Sequence, residues 1–135
     1  MLDWNAYRDE LRATIGDLAK VSPDTIRGYR ALSDAGTKTD LLGAKTRELI
    51  ALAVAVTRQC DGCITVHTAA AMKQGATKEE IVEALGVAIA VNAGAALVYT
   101  ARVLNAYAAN PPGGAGRIDG CLPGASVPWC PSSWP

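Results

Sequence analysis

Residues 46–75 read TRELIALAVAVTRQCDGCITVHTAAAMKQG, and this stretch predicts two helices that meet at a short turn. The first half is helical in propensity and, after Arg47 and Glu48, apolar on every side, which indicates a buried helix. The second half begins close to Cys60 and ends at Gly75, a typical stop for a helix. If the second helix returns antiparallel to the first, residues whose numbers average about 58 face each other. We therefore expect an antiparallel hairpin that carries a Cys-x-x-Cys motif.

The chemically reactive residues of this hairpin are expected to share one face. Cys60, Cys63 and His67 follow the i, i+3, i+7 spacing, so they line up along one side of a helix. Unpaired N–H groups at a helix start favour thiolate over thiol and lower the pKa of a cysteine there. The hairpin register sets Glu48 opposite His67, where a carboxylate would orient the imidazole. This is the usual arrangement for a general base that serves a thiol.

The remaining segments are also predicted to be helical. Apolar residues recur every three or four positions from about residue 3 to 20, and Ser22 followed by Pro23 predicts a second helix that stops near Gly36. The sequence TKEE at 77–80 matches a capping box and opens the longest helical stretch, in which Asn92 and Gly94 predict a break. No segment shows sustained period-two alternation, so we expect an all-α fold.

The chain is expected to divide into a helical domain, residues 1–110, and a Pro/Gly-rich tail, residues 111–135. The tail holds six of the seven prolines together with Cys121 and Cys130, which predicts an irregular, extended segment. Within the domain, the Gly- and Ala-rich apolar stretch 81–107 offers more hydrophobic surface than so small a core can cover. We therefore expect a homo-oligomer.

Charge and composition exclude several classes of partner. The formal net charge is zero and no basic stripe is present, so we expect neither nucleic acid nor an anionic membrane surface as a partner. The N-terminus lacks the apolar core of a signal peptide, and no uninterrupted apolar run of about 18 residues reads as a membrane span. A cytoplasmic location follows as an expectation. In that reducing compartment a close cysteine pair is more often catalytic or metal-binding than a structural disulfide.

One combination of residues resembles a known family. Glu48, then CDGC from Cys60 twelve positions later, then His67, followed by GATKEEIVEAL at 75–85, resembles the AhpD-like alkylhydroperoxidase branch of the carboxymuconolactone decarboxylase superfamily. The resemblance covers about residues 38–107. It implies an all-helical AhpD-like domain that assembles into trimers or hexamers, and an antioxidant peroxidase that reduces hydroperoxides. The best known members carry a second histidine inside the motif, where this chain has Gly62 beside Asp61.

The resemblance also implies a role for each site residue. It makes Cys63 the peroxidatic cysteine, oxidised to sulfenic acid, and Cys60 the proton donor and resolving cysteine that closes the disulfide. His67 and Glu48 become the proton relay. It further implies reduction by a lipoyl-type dithiol or a dedicated protein partner, with no cofactor and no metal.

Three other interpretations fit parts of the same pattern. A Cys-x-x-Cys pair can be half of a zinc site, but zinc normally takes four ligands and the other cysteines are in the tail. A carboxymuconolactone decarboxylase would act on a lactone acid without needing a dithiol. A helical oligomer whose dithiol reports redox state would use the same residues without turnover.

Overall fold

The computed structural model describes residues 1–110, so the predicted tail with Cys121 and Cys130 lies outside the described residues. Within that range the chain is helical and contains no strand, which confirms the predicted all-α fold. By its internal contacts the chain divides into two units, Met1–Ala95 and Ala96–Pro135. The predicted domain boundary after residue 110 stays a prediction. The helices are α1 (Trp4–Val21), α2 (Pro23–Ala35), α3 (Gly43–Thr57), α4 (Asp61–Lys73) and α5 (Lys78–Ala109).

The first two helices are separated by a single residue. Ser22 ends α1 by donating its N–H to the Leu18 carbonyl at 2.8 Å, and Pro23 then begins α2. Proline suits this first position because its missing N–H would have had no partner inside the helix. The predicted boundary is confirmed, although the Ser22 hydroxyl binds Thr25 Oγ1 at 2.7 Å and not a backbone N–H.

Helices α3 and α4 form the predicted antiparallel hairpin. The chain turns at Gln59, which adopts a left-handed φ of 53°, and Cys60 N–H then donates to the Ala55 carbonyl at 3.0 Å. Helix α1 packs against α4 as well as against α2. The structure therefore holds the start of α4 between two neighbouring helices.

The prediction that α3 is buried on every side is wrong for the chain by itself. Leu52 and Ala55 are buried at 2% exposure, whereas Ile50 and Val54 are 48% and 55% exposed. The reason is that one face of α3 packs against α4, and no residue of the first unit covers the opposite face closely enough to bury these side chains.

Helix α5 begins as predicted but does not break where predicted. Thr77 N–H donates to Glu80 Oε2 at 2.9 Å and Glu80 N–H donates to Thr77 Oγ1 at 3.2 Å, which confirms the capping box. The helix then runs unbroken through Asn92 and Gly94. Asn92 does not compete with the helix because its amide donates to the Ala88 carbonyl and to Thr57 Oγ1 on α3. A helical glycine costs only about 1 kcal/mol relative to alanine, which the apolar helix around it tolerates.

Helix α5 is long and apolar enough to cross a membrane, judged by length and composition alone. Its most apolar 18-residue window has a mean hydropathy of 2.0 and is 6% buried. Glu83 and Asn92 interrupt this stretch, and the expectation that no membrane is a partner stays a prediction. A helix that lies in the core of a soluble protein or oligomer meets the same criteria.

Candidate functional site

Cys60 caps the N-terminus of α4 with its side chain. The residue is extended, at φ −104° and ψ 93°, and its Sγ accepts the N–H of Cys63 at 3.2 Å. This is the geometry in which Ser or Asp normally caps a helix, with the side chain accepting a backbone N–H from the first turn. A sulfur placed there faces the positive end of the helix dipole, which stabilises negative charge.

The two sulfurs of the motif lie close together and are not bonded. Cys60 Sγ and Cys63 Sγ are 2.6 Å apart and share a hydrogen bond, and both residues are half-buried free cysteines. A disulfide needs about 2.05 Å between the sulfurs, so a shift of well under 1 Å would bring them to bonding distance. The two sulfurs are therefore close enough for a disulfide to form on oxidation without a large movement of the backbone.

The two cysteines differ in acidity. The sulfur–sulfur contact with Cys63, followed by the hydrogen bond from the Cys63 N–H, lowers the pKa of Cys60, and together they outweigh burial and the opposing charge of Asp61. The same sulfur–sulfur hydrogen bond, together with burial, raises the pKa of Cys63. The expectation that the helix start lowers the pKa of a cysteine holds for Cys60. It does not extend to Cys63, whose pKa is raised.

His67 and Glu48 meet across the hairpin as the register predicted. His67 Nδ1 and Glu48 Oε2 are 2.7 Å apart, and the two side chains are 33% and 24% exposed. A carboxylate at this distance from one ring nitrogen holds the imidazole in place and leaves Nε2 for other partners. The predicted contact is confirmed, while the catalytic role of the pair stays a prediction.

The structure brings the four predicted site residues together in two pairs. Among residues 1–110 no hydrogen bond joins His67 to Cys60 or Cys63. His67 lies one helical turn after Cys63, a rise of about 6 Å along α4. A proton relay between Cys63 and His67 therefore stays a prediction.

Gly62, the position inside the motif, is in contact with α1. A Cβ added at Gly62 would lie 2.9 Å from Leu11 Cδ2, closer than such atoms normally approach. Leu11 thus occupies the space that a side chain between the two cysteines would need. Nothing in the sequence pattern signals this contact, because α1 and α4 are far apart along the chain. No group of three or more His, Cys, Asp or Glu residues suited to hold a metal occurs within the described part.

Comparison with known proteins agrees with this architecture. The carboxymuconolactone decarboxylase family profile matches residues 23–106. A solved structure of an apo carboxymuconolactone decarboxylase family protein from Legionella pneumophila is similar, with a TM-score of 0.63 and 37% identity, covering 76% of this chain and 92% of that one.

Two uncharacterised proteins are similar in sequence. One, from Haemophilus influenzae, is 46% identical over 105 residues, which is 78% of this chain and 93% of that protein. Another, from Cupriavidus necator, is 32% identical over 95 residues, 70% of this chain and 84% of its own length. The profile match and these similarities lead to one conclusion: the chain belongs to the carboxymuconolactone decarboxylase family.

Proposed function

We propose that this protein is a thiol-dependent peroxidase that reduces hydroperoxides through the Cys60/Cys63 dithiol. The observation that carries the proposal is the approach of the two sulfurs to 2.6 Å at the start of a helix whose next turns present His67. A decarboxylase has no need of such a pair. The Glu48 carboxylate at 2.7 Å from the imidazole supports a role for His67 in proton transfer.

The reaction consumes one peroxide and two thiols. One thiolate attacks the terminal oxygen of R–O–O–H, the O–O bond breaks, and the departing alkoxide takes a proton to become the alcohol. The resulting sulfenic acid is attacked by the second cysteine, which forms the disulfide and releases water. A dithiol such as a lipoyl group then restores the pair by thiol–disulfide exchange, since it closes its own disulfide as it leaves.

Steady-state turnover tests this proposal. Purified protein, tert-butyl hydroperoxide and dihydrolipoamide should yield tert-butanol and oxidised lipoamide in equal amounts, at a rate proportional to protein concentration. A variant carrying both Cys60→Ser and Cys63→Ser is the control, because serine keeps the size and capping ability of cysteine but not its redox chemistry. Wild-type protein that performs no better than this variant, with dihydrolipoamide or with other dithiol donors, would contradict the proposal.

A further inference from the structure

We propose that the cleft between α1 and α4 binds a small amphiphilic monocarboxylate, whose carboxylate pairs with Arg8 and whose apolar body lies against α4. The cleft has a volume of about 420 Å³, which is within the range of small-molecule sites in proteins. The described residues that line it include neither cysteine of the motif and not His67. The proposal therefore concerns a second site in the first unit and does not rest on the peroxidase function.

Arg8 carries an unsatisfied hydrogen-bond donor at the wall of this cleft. Its Nε atom is shielded from water and has no hydrogen-bond partner among residues 1–110. Asp9 Oδ1 lies 3.6 Å from Nε, which is too far for a hydrogen bond, and the Asp9 side chain is 68% exposed. A buried N–H on a charged group costs free energy until an acceptor is supplied. This donor without an acceptor is the observation that points to an anionic ligand.

A carboxylate is the anion that suits Arg8 best. A guanidinium presents its N–H groups in a planar fork, and two carboxylate oxygens accept from it side by side. The Arg8 side chain is 27% exposed, so a change of rotamer can turn Nε and one terminal nitrogen into the cleft. Among the described residues Arg8 is the only charged one that lines the cleft. A single cation matches one negative charge, and no acidic side chain in the lining would repel it.

The rest of the cleft suits an apolar ligand body. Ile64, Ala69 and Met72 line it from α4, and Trp4 lines it from α1. Met72 and Trp4 are 65% and 36% exposed, so a ligand in the cleft would remove apolar surface from water. Thr65 Oγ1 donates to the Trp4 carbonyl at 3.4 Å, which joins the two helices beside the cleft. One cation next to an apolar wall is the chemistry that recognises a medium-chain carboxylate.

Calorimetric titration with octanoate, below its micelle-forming concentration, tests the role of the charge. We expect the wild-type chain to bind octanoate, and Arg8→Met to weaken this affinity by roughly 10-fold or more, because hydrogen bonds between charged groups are lost. Octan-1-ol, which has the same chain length and no carboxylate, should bind both proteins more weakly than octanoate binds wild type. Circular dichroism checks that Arg8→Met keeps the helical fold.

Arg12→Met is the matched control for the loss of an arginine from α1. Arg12 lies one turn after Arg8, its side chain is 69% exposed, and it does not line the cleft. We expect this variant to bind octanoate as tightly as wild type. An equal loss of affinity in both variants would mean that octanoate responds to the overall charge of α1, which would overturn the role of Arg8.

Methyl NMR locates the bound ligand. The chain has two methionines, Met1 and Met72, so isotope labelling of the methionine methyl groups gives one signal from the cleft and one from the N-terminus. Met72→Leu assigns the signal from the cleft. We expect octanoate to shift the Met72 signal with the same midpoint as in calorimetry.

Three outcomes would overturn the proposal. Wild type and Arg8→Met could bind octanoate equally, or the Met72 signal could stay in place while octanoate binds. Wild-type protein could also bind no octanoate; if Arg8→Met then also lowers the mass seen by light scattering, a second copy of the chain covers the cleft. The double variant Cys60→Ser, Cys63→Ser should bind octanoate as tightly as wild type, so the result is independent of the peroxidase test.

Discussion

At the residue scale, the site depends on a cysteine that occupies a helix-capping position. Cys60 satisfies one of the N–H groups that a helix start leaves unpaired, and the same N–H favours the thiolate form of its sulfur. Because the capping bond and the thiolate use the same atom, the local backbone and the acidity of the site are coupled. A substitution that disturbs the helix cap is expected to change the pKa of Cys60, and ionisation of Cys60 is expected to change the stability of the cap.

Alkylation across a pH series measures this coupling directly. The pKa of Cys60 is lowered and that of Cys63 is raised, so Cys60 should react with iodoacetamide at a lower pH than Cys63. As pH rises from about 5, the Cys60 peptide should be modified first, with a midpoint below the ordinary thiol value of about 8.5. Peptide mass spectrometry after short pulses checks the order. Equal midpoints for both cysteines would show that the helix cap does not make Cys60 more acidic than Cys63.

The contact between Gly62 and Leu11 yields a second prediction. Gly62→His would push the Leu11 methyl group aside into another rotamer, so it should lower the free energy of unfolding by about 0.5–1.5 kcal/mol. Adding Leu11→Ala should cost less in that background than in wild type, because the smaller side chain makes room. Urea unfolding of the four proteins forms a double-mutant cycle. Strictly additive effects would mean that the Leu11 side chain does not oppose a larger side chain at position 62.

Individual site residues were predictable from the sequence wherever a local rule applied. The spacing of Cys60, Cys63 and His67 predicts one face of a helix, and the structure places Cys63 and His67 on α4 with Cys60 as its N-cap. The unequal acidity of the cysteines was not predictable, because it depends on the contact between the two sulfurs and on how deeply each is buried. The Leu11 contact was not predictable either, since it depends on how α1 packs on α4.

At the element scale, the α3–α4 hairpin brings residues that are far apart in the sequence into contact. Glu48 and His67 are nineteen positions apart and meet at 2.7 Å because the turn at Gln59 is short. Counting outward from the turn was enough to predict this contact. The same counting could not predict that α5 continues past Asn92, because the partner that satisfies its amide, Thr57, lies on another helix.

The capping box at the start of α5 yields a prediction about stability. Thr77→Ala removes the acceptor of the Glu80 N–H, so the free energy of unfolding should fall by about 1 kcal/mol, within a range of roughly 0.5–2. Thr77→Ser keeps the acceptor oxygen and should remain close to wild type. Urea unfolding at a fixed protein concentration measures both variants. An alanine variant as stable as wild type would show that the cap adds nothing to stability.

The contact between α3 and α5 should be sensitive to acid. Lys45 Nζ donates to Glu80 Oε1 at 2.7 Å, and this hydrogen bond, followed by the one from the Thr77 N–H, lowers the pKa of the Glu80 carboxyl. A carboxyl whose pKa is lower in the folded state stabilises the fold above its unfolded pKa, about 4.3. That contribution is lost as pH falls through the folded value.

Urea unfolding between about pH 7 and pH 3 checks this contribution. Lys45→Met should be less stable than wild type near neutral pH, and the difference should shrink as pH falls through the lowered folded pKa of Glu80. Lys38→Met is a suitable control, because Lys38 is exposed and makes no ion pair within residues 1–110. A difference that stays constant across the range would mean that the Lys45–Glu80 pair does not contribute to stability.

At the scale of the whole molecule, many apolar side chains of the single chain face solvent. On α5, Ile89 and Val91 are 67% and 65% exposed in the first unit, and Leu97 and Val98 are 75% and 70% exposed in the second. An open groove of about 500 Å³ between α3 and α5 is lined mostly by apolar residues such as Val54 and Val87. Monomeric soluble proteins rarely expose so much apolar surface.

These exposed apolar side chains lead us to expect a homo-oligomer. Light scattering at micromolar concentration should give a mass of several chains, and the family resemblance points to three or six times the 14.0 kDa chain mass. Ile89→Lys should lower that mass, because a charge on an apolar interface is costly to bury. A wild-type protein that scatters as a 14.0 kDa monomer would contradict the expectation.

The most direct test of the peroxidase is a mapped thiol count after a single addition of peroxide. Reduced protein mixed with one equivalent of tert-butyl hydroperoxide per chain is quenched by alkylation and digested, and the peptide carrying residues 60–63 is weighed. We predict that this peptide loses both free thiols at the same rate at which tert-butanol appears, and that its mass corresponds to an internal Cys60–Cys63 disulfide. A peptide that keeps both thiols while peroxide remains, or a disulfide that forms without any alcohol, would contradict the proposed peroxidase reaction.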